Sequence, residues 1–226
     1  MILPGGLPIA AVFLPTPGFC AAENLLRNGD FSAGTGNTPD GWHRETWIDL
    51  PTTRMAWIKP SGGEPGVVSV DNGADNMARW VQHVHLSPGL YYVGAQVKTL
   101  GLAEPSNTGA MISLTGLGMS PENLQGNNNW TTASFYLKVG AGGGDAPIAL
   151  GIGFFAGYNT GQALFHGASV VPVDELPPGQ YLLIDLDKVN GHFGQGSQWP
   201  LALLLCPLMA AAVAGWIVLR PPPPSS

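Results

Sequence analysis

From Glu23 to Val173 the chain alternates between apolar and polar residues with a period of two. In Tyr91-Tyr92-Val93-Gly94-Ala95-Gln96-Val97-Lys98, one side carries Tyr91, Val93, Ala95 and Val97, the other Tyr92, Gly94, Gln96 and Lys98. Successive side chains of a strand point to opposite faces, so this pattern predicts a half-buried β-strand. The segment from Trp130 to Val139 repeats it, with Ala133, Phe135, Leu137 and Val139 inward and Ser134, Tyr136 and Lys138 outward. Ile148, Leu150, Ile152 and Phe154 form another inward set. Turn residues separate such segments at Asn28-Gly29-Asp30, Pro39-Asp40-Gly41, Asp71-Asn72-Gly73, Ser87-Pro88-Gly89 and Gly142-Gly143-Gly144-Asp145. No 3.6-residue period in this span lasts long enough for a major helix. The pattern predicts an all-β sandwich of two antiparallel sheets over residues 23–173.

The two ends break the alternation. Residues 1–22 carry no charged side chain, and an apolar stretch gives way to Pro15, Pro17, Gly18 and then Cys20-Ala21-Ala22. That is signal-like, with cleavage expected after Ala22. Leu201 to Leu219 is an uninterrupted apolar run of 19 residues. At ~1.5 Å per residue it is about as long as a hydrocarbon core is thick. Trp199 and Trp216 suit the interfacial belts, and Arg220 follows. These features predict a single transmembrane helix over 199–220, a juxtamembrane linker over 174–198 and a short Pro-rich tail over 221–226. The expected location is a membrane, with the domain outside the cytoplasm.

Charge then narrows the partners. Nine basic residues against fifteen acidic give −6, the wrong sign for a nucleic-acid footprint. All fifteen acids and eight of the basic residues fall within 23–198, which holds no cysteine. An exported domain without disulfides needs a core large enough to stand alone.

At this point the chain resembles a family. Asn24-Leu25-Leu26-Arg27-Asn28-Gly29-Asp30-Phe31 followed by Pro39-Asp40-Gly41-Trp42 resembles the opening of jelly-roll carbohydrate-binding modules of the galactose-binding-like superfamily. Trp80 to Tyr91, Gln96 to Thr99, Asn129-Trp130 and Gly161 to Phe165 continue the likeness in order, over about 150 residues. The resemblance implies a jelly-roll sandwich that binds glycan without catalysis. Many such modules also hold a structural calcium, using an acidic residue just after the first-strand Phe and an Asp after the last-strand aromatic. Here Ser32 and His166 stand at those places. Calcium takes hard oxygen ligands, so although Asp30 remains available, a structural calcium is disfavoured and no cofactor is expected.

The residues show no catalytic constellation. There is no Gly-x-Ser-x-Gly elbow and no His-Glu-x-x-His. Asp40, Glu45 and Asp49 cluster, but glycosidase chemistry needs two facing carboxylates and no partner is identifiable. Gly140 to Gly144 reads as a hairpin turn. His83 and His85 share one side of a strand, without a third metal ligand. Asn129-Trp130-Thr131 is formally a glycosylation sequon.

Aromatic residues carry the sharper expectation, because sugar rings stack their C–H faces on Trp and Tyr while amides fix the hydroxyls. Trp42, Trp80, Tyr91, Phe135, Phe154 and Phe165 read as core; Trp47, Trp57, Tyr92, Trp130, Phe155 and Tyr158 read as outward or in loops. Tyr92, Gln96, Lys98, Tyr136 and Lys138 share one sheet face if their strands are neighbours. The candidate ligand-binding set is Trp47, Trp57, Tyr92, Gln96, Trp130, Asn129 and Tyr158. Two functions fit it: a membrane-anchored glycan-binding module, or an accessory subunit whose sandwich and helix contact membrane-protein partners. Ala210, Ala211, Ala212, Ala214 and Gly215 would permit close helix packing in the second case.

Overall fold

The computed structural model describes residues 23–188, apart from 105–107, 116–117, 155–156 and 180. The expected signal segment, transmembrane helix and Pro-rich tail lie outside the described residues. So do Phe155 and the end of the expected linker. Among the described residues, no helix is long and apolar enough to cross a membrane.

Two sheets pack face to face. The larger contains β4 (Thr53–Ile58), β5 (Val67–Asn76), β7 (Gly89–Leu102), β10 (Gly126–Val139), β12 (Asn159–Val173) and β13 (Leu183–Asp185). Their order is β13-β10-β7-β12-β5-β4. The smaller has the order β3-β6-β11-β8-β9, with β3 (His43–Thr46), β6 (Ala78–Leu86), β8 (Ala110–Leu114), β9 (Gly118–Met119) and β11 (Gly144–Ile152). A small hairpin, β1 (Gly34–Thr35) and β2 (Thr38–Pro39), precedes them. From β5 onward the long strands β5, β6, β7, β8, β10, β11 and β12 fall alternately in the larger and smaller sheets. Most partners are therefore distant in sequence, and the chain crosses the core repeatedly.

The inward residues of both sheets form one apolar layer. Trp80, Leu86, Ile112, Leu114, Ile148, Leu150 and Ile152 of the smaller sheet are fully buried against Val68, Val93, Val97, Phe135, Leu137 and Phe165 of the larger. Buried aromatic polar atoms keep partners, as they must in a dry core. The Trp80 indole donates to the Ser69 carbonyl at 3.1 Å, and the Tyr91 hydroxyl to the Ser87 carbonyl at 2.7 Å. Trp42 packs on Phe31 with centroids 5.2 Å apart. The alternation read in Tyr91 to Lys98 and in Trp130 to Val139 matches the burial of β7 and β10.

The structure corrects five expectations. Trp57 is buried, not outward: it lies on the inner side of β4 and its indole donates to the Phe31 carbonyl at 2.9 Å. Asp71-Asn72-Gly73 does not turn but runs inside β5. Asn72 is buried there, and its amide donates to the carbonyls of Asn76 and Asn159. Phe154 is only half-buried, because β11 ends at Ile152 and Gly153, at φ +86°, diverts the chain. The expected linker contains β13, whose Ile184 enters the core together with Leu186 just beyond it. Finally, β13 pairs parallel to β10, so the larger sheet is mixed. A strand of three residues is too short to display alternation in the sequence.

Candidate functional site

The outer face of the larger sheet gathers most of the candidate residues. Pairing of β10, β7 and β12 sets Thr132 opposite Gln96 opposite His166, and Tyr136 opposite Tyr92 opposite Val171. The strands carrying Tyr92, Gln96, Lys98, Tyr136 and Lys138 are thus neighbours.

Two irregularities re-aim this face. The β10–β7 register slips between Asn128 and Thr131, and the β12–β7 register between His166 and Ser169, where Gly167 takes φ +60°. An extra residue in one strand bends it and redirects side chains. The first slip spans Asn129 and Trp130. β10 and β12 flank β7, about 10 Å apart by strand spacing. Yet the Trp130 and His166 rings meet edge to face with centroids 4.4 Å apart. The two rings therefore bridge the strand that lies between theirs. Close by, the Gln96 amide donates to the Thr132 hydroxyl at 2.7 Å. Beside the rings opens a cavity of about 470 Å³ lined by Ile58, Lys59, Glu64, Pro65, Trp130 and His166, among others. Burial holds the His166 imidazole below its usual 6.5, so at neutral pH it is an uncharged donor and acceptor.

Some 13 Å along β7 from Gln96, Tyr92 and Tyr136 meet at 5.7 Å, and Tyr136 meets Tyr181 at 5.3 Å. A cleft of about 230 Å³ runs between these rings, Glu122 and the Pro177-Pro178 segment. The Tyr92 ring lies back over Gly94, where a Cβ would sit 2.5 Å from its hydroxyl. Between the aromatic groups the face carries Ser134, Gly94 and Ser169, all small. The arrangement offers two aromatic pads separated by a small polar floor.

The remaining candidates sit elsewhere. Asn129 is exposed beside Trp130 and its carbonyl accepts from the Thr131 hydroxyl. Trp47, 62% exposed, stands just past β3 at the edge of the smaller sheet. Tyr158 is exposed in the connection between β11 and β12 and lines neither cavity of the larger sheet's face. Sequence reasoning missed His166 as a face residue, because its place in the family pattern had marked it as a failed calcium ligand. Tyr181 was missed because it lay in the expected linker.

The three clustered carboxylates do not act together. Asp40 lies 3.9 Å from Arg27, Glu45 pairs with Arg79 at 2.9 Å and His43 at 3.2 Å, and Asp49 lines a separate cavity. Burial of Glu45 disfavours its ionised form, but the hydrogen bonds and charges of Arg79 and His43 outweigh it and lower its pKa. His85 pairs with Asp145 at 2.8 Å, and His83 stacks on His43 at 5.9 Å. Among the described residues no three His, Cys, Asp or Glu side chains converge as metal ligands.

At the place where the resembled family holds calcium, the oxygen acceptors have partners within the chain. The Phe31 carbonyl accepts from the Trp57 indole, Asp30 accepts from the Ser32 hydroxyl at 2.9 Å, and His166 faces Trp130.

No protein-family model matches the chain, and no curated protein matches it. Among solved structures, similar folds include the enzymatically active domain of tailspike protein 4 of bacteriophage CBA120, at 14% identity and TM-score 0.45. That alignment covers 66% of this chain and 21% of the tailspike chain. The carbohydrate-binding module TmCBM61, solved with β-1,4-galactotriose, aligns at 14% identity and TM-score 0.41 over 67% of this chain and all of its own. A CBM4 module aligns at 15% identity and TM-score 0.41 over 66% of this chain and 99% of its own. Similarity of this degree assigns neither a ligand nor an activity to the chain.

Proposed function

We propose that this protein is a non-catalytic glycan-binding module, held outside a membrane by the apolar run Leu201–Leu219. One observation carries the reading: Trp130 reaches across β7 to His166 while Gln96 and Thr132 hydrogen-bond close by. An exposed indole next to amide and hydroxyl groups is what a sugar needs, a surface for its apolar ring face and partners for its hydroxyls. The Tyr92–Tyr136 pair supplies a second pad on the same face. The affinity comes mainly from the rings, because polar contacts mostly replace water.

Binding is measured with the full chain in mild detergent on a polysaccharide array, followed by calorimetry on the best ligand. Trp130→Ala weakens binding by about 1–3 kcal/mol, the worth of burying a large side chain, without lowering the melting temperature. If no polysaccharide is retained while membrane proteins co-purify with the chain, the glycan reading fails. The second reading, an accessory subunit, then takes over. It is favoured by Tyr181, Leu182 and Leu183, consecutive and each about 40% exposed along the outer edge of the larger sheet.

A further inference from the structure

A second surface lies at one edge of the larger sheet. Among the described residues β13 has a single hydrogen-bonded neighbour, β10, and its other side is open. Tyr181, Leu182 and Leu183 follow one another there at 41%, 38% and 39% exposure. The stretch is held in place. The Leu182 carbonyl accepts from the Tyr136 N–H at 2.8 Å, Leu183 is in register with Tyr136, and Ile184 enters the core. Three adjacent apolar side chains fixed at a surface gain from any apolar medium that meets them.

Size and charge narrow what that medium is. A large side chain presents at most roughly 250 Å², so about 40% of three comes to no more than about 300 Å². A specific protein interface buries roughly 800 Å² on each partner, far more than this edge offers. Charge supplies no pull either. Lys138 and Lys188 share Asp185 at 3.6 and 3.8 Å, and the Asp187 carboxylate lies against Gly140. These two cations and two carboxylates balance, which favours neither an anionic nor a cationic partner.

Position in the chain supplies the occupant. Lys188 is the last described residue, and the apolar run begins at Leu201. The 12 residues between them, 189–200, span at most about 45 Å even fully extended. Of the strands, β13 is the one tethered closest to that run. A tethered contact is intramolecular, so a patch too small for association between free molecules suffices. Tyrosine suits the headgroup zone of a bilayer, and leucine the acyl boundary beneath it.

We propose that Tyr181, Leu182 and Leu183 rest in the headgroup region of a zwitterionic bilayer, the one that Leu201–Leu219 spans. This docking requires the membrane anchor proposed above. Trp130 lies six residues from Tyr136 along β10, roughly 20 Å away, so lipid at this edge leaves the Trp130–His166 rings open.

The test uses the full chain, carrying Cys20→Ser and Cys206→Ser, in phosphatidylcholine vesicles. A polarity-sensitive dye is attached at Leu182→Cys, or at Ile48→Cys in the exposed connection from β3 to β4, at the opposite edge. Nitroxide-bearing lipid quenches a dye that touches the bilayer, and flotation reports the anchor separately. The chain floats, and the dye at 182 is quenched several-fold more than the dye at 48. Adding Tyr181→Asp and Leu183→Asp lowers quenching at 182 to the level at 48, while the chain still floats and its melting temperature holds. A chain that floats with equal quenching at the two positions overturns the proposal and leaves the anchor standing. A chain that does not float overturns both. A dye at 182 shielded from water yet unquenched by lipid overturns the proposal in favour of contact with protein.

Discussion

On the outer face of the smaller sheet, charged side chains answer one another. Arg79 meets Glu45, Glu45 meets His43, and His85 meets Asp145. On the outer face of the larger sheet the central groups are Trp130, His166, Gln96, Thr132, Tyr92 and Tyr136, and the contacts between them are ring edges and a hydrogen bond from the Gln96 amide to the Thr132 hydroxyl. Both faces obey the same alternation, and both are the polar half of an amphipathic strand. The difference lies in what is left to interact. Paired surface charges are largely satisfied by each other and by water and contribute little. Exposed rings remain costly to hydrate and gain from any apolar surface laid on them. Alternation finds a face; only side-chain chemistry distinguishes a solvated face from a binding one.

The largest expected effect separates either face from the core. Phe135 and Tyr136 are sequence neighbours on β10, one buried and one facing outward. Phe135→Ala costs about 3–5 kcal/mol of stability, as deletion of a buried aromatic does. Tyr136→Ala leaves the urea midpoint nearly unchanged and lowers glycan affinity. Reversed outcomes for the pair would destroy the distinction between the two sides of this strand.

Trp57 sharpens the boundary of the binding face, since it was expected to belong to it. Its indole N–H is the buried partner of the Phe31 carbonyl. Trp57→Phe keeps most of the ring but orphans that acceptor, costing about 1–3 kcal/mol of stability, with glycan affinity retained by the folded fraction. Equal stability with weakened binding would return Trp57 to the ligand set.

These cases show what the sequence made legible. The sandwich followed from period two, because long strands such as β7 and β10 have many positions over which to display it. Trp130, Gln96 and Tyr92 followed from parity along those strands. Trp57 did not, because the outward reading overlooked the loop carbonyl waiting for its N–H. Nor did the role of His166, which depends on Trp130 reaching across an intervening strand. Slips in register such as those at Trp130 and Gly167 leave no mark in composition, although they decide where the rings meet.

A smaller effect tests whether the smaller sheet's face is only self-satisfied. Glu45 has its pKa held below 4.5, since Arg79 and His43 overcome the opposing cost of burial. A carboxylate with a depressed folded pKa stabilises above its unfolded value and loses that contribution as pH falls through the folded one. Glu45→Gln therefore lowers stability at pH 7 by under about 1 kcal/mol, the range for a partly exposed pair. Below pH 4.5 the variant and the parent converge. Urea unfolding at pH 7 and pH 3 measures both; a gap that widens in acid contradicts the assignment. Glycan affinity at pH 7 should not change.

The smallest expected effect is none at all, and it bears on how the Gly29–Ser32 loop is held at the place where the resembled family binds calcium. Gly66 packs against the carbonyls of Asp30 and Phe31, so that loop is held close to the approach to β5. The indole of Trp57 and the hydroxyl of Ser32 already occupy its main oxygen acceptors. Ala168 donates to the Gly29 carbonyl at 2.9 Å, tying the same loop to β12. The donors that hold it are therefore N–H and O–H groups of the chain itself. An ion bound only by the folded state would raise the melting temperature by mass action. The full chain should melt at the same temperature in chelator and in millimolar calcium. Trp57→Phe then offers the sharper test, because it frees the Phe31 carbonyl. If calcium rescues that variant, the loop keeps a latent oxygen site that the indole has displaced; if it does not, Ser32 and His166 have removed the site altogether.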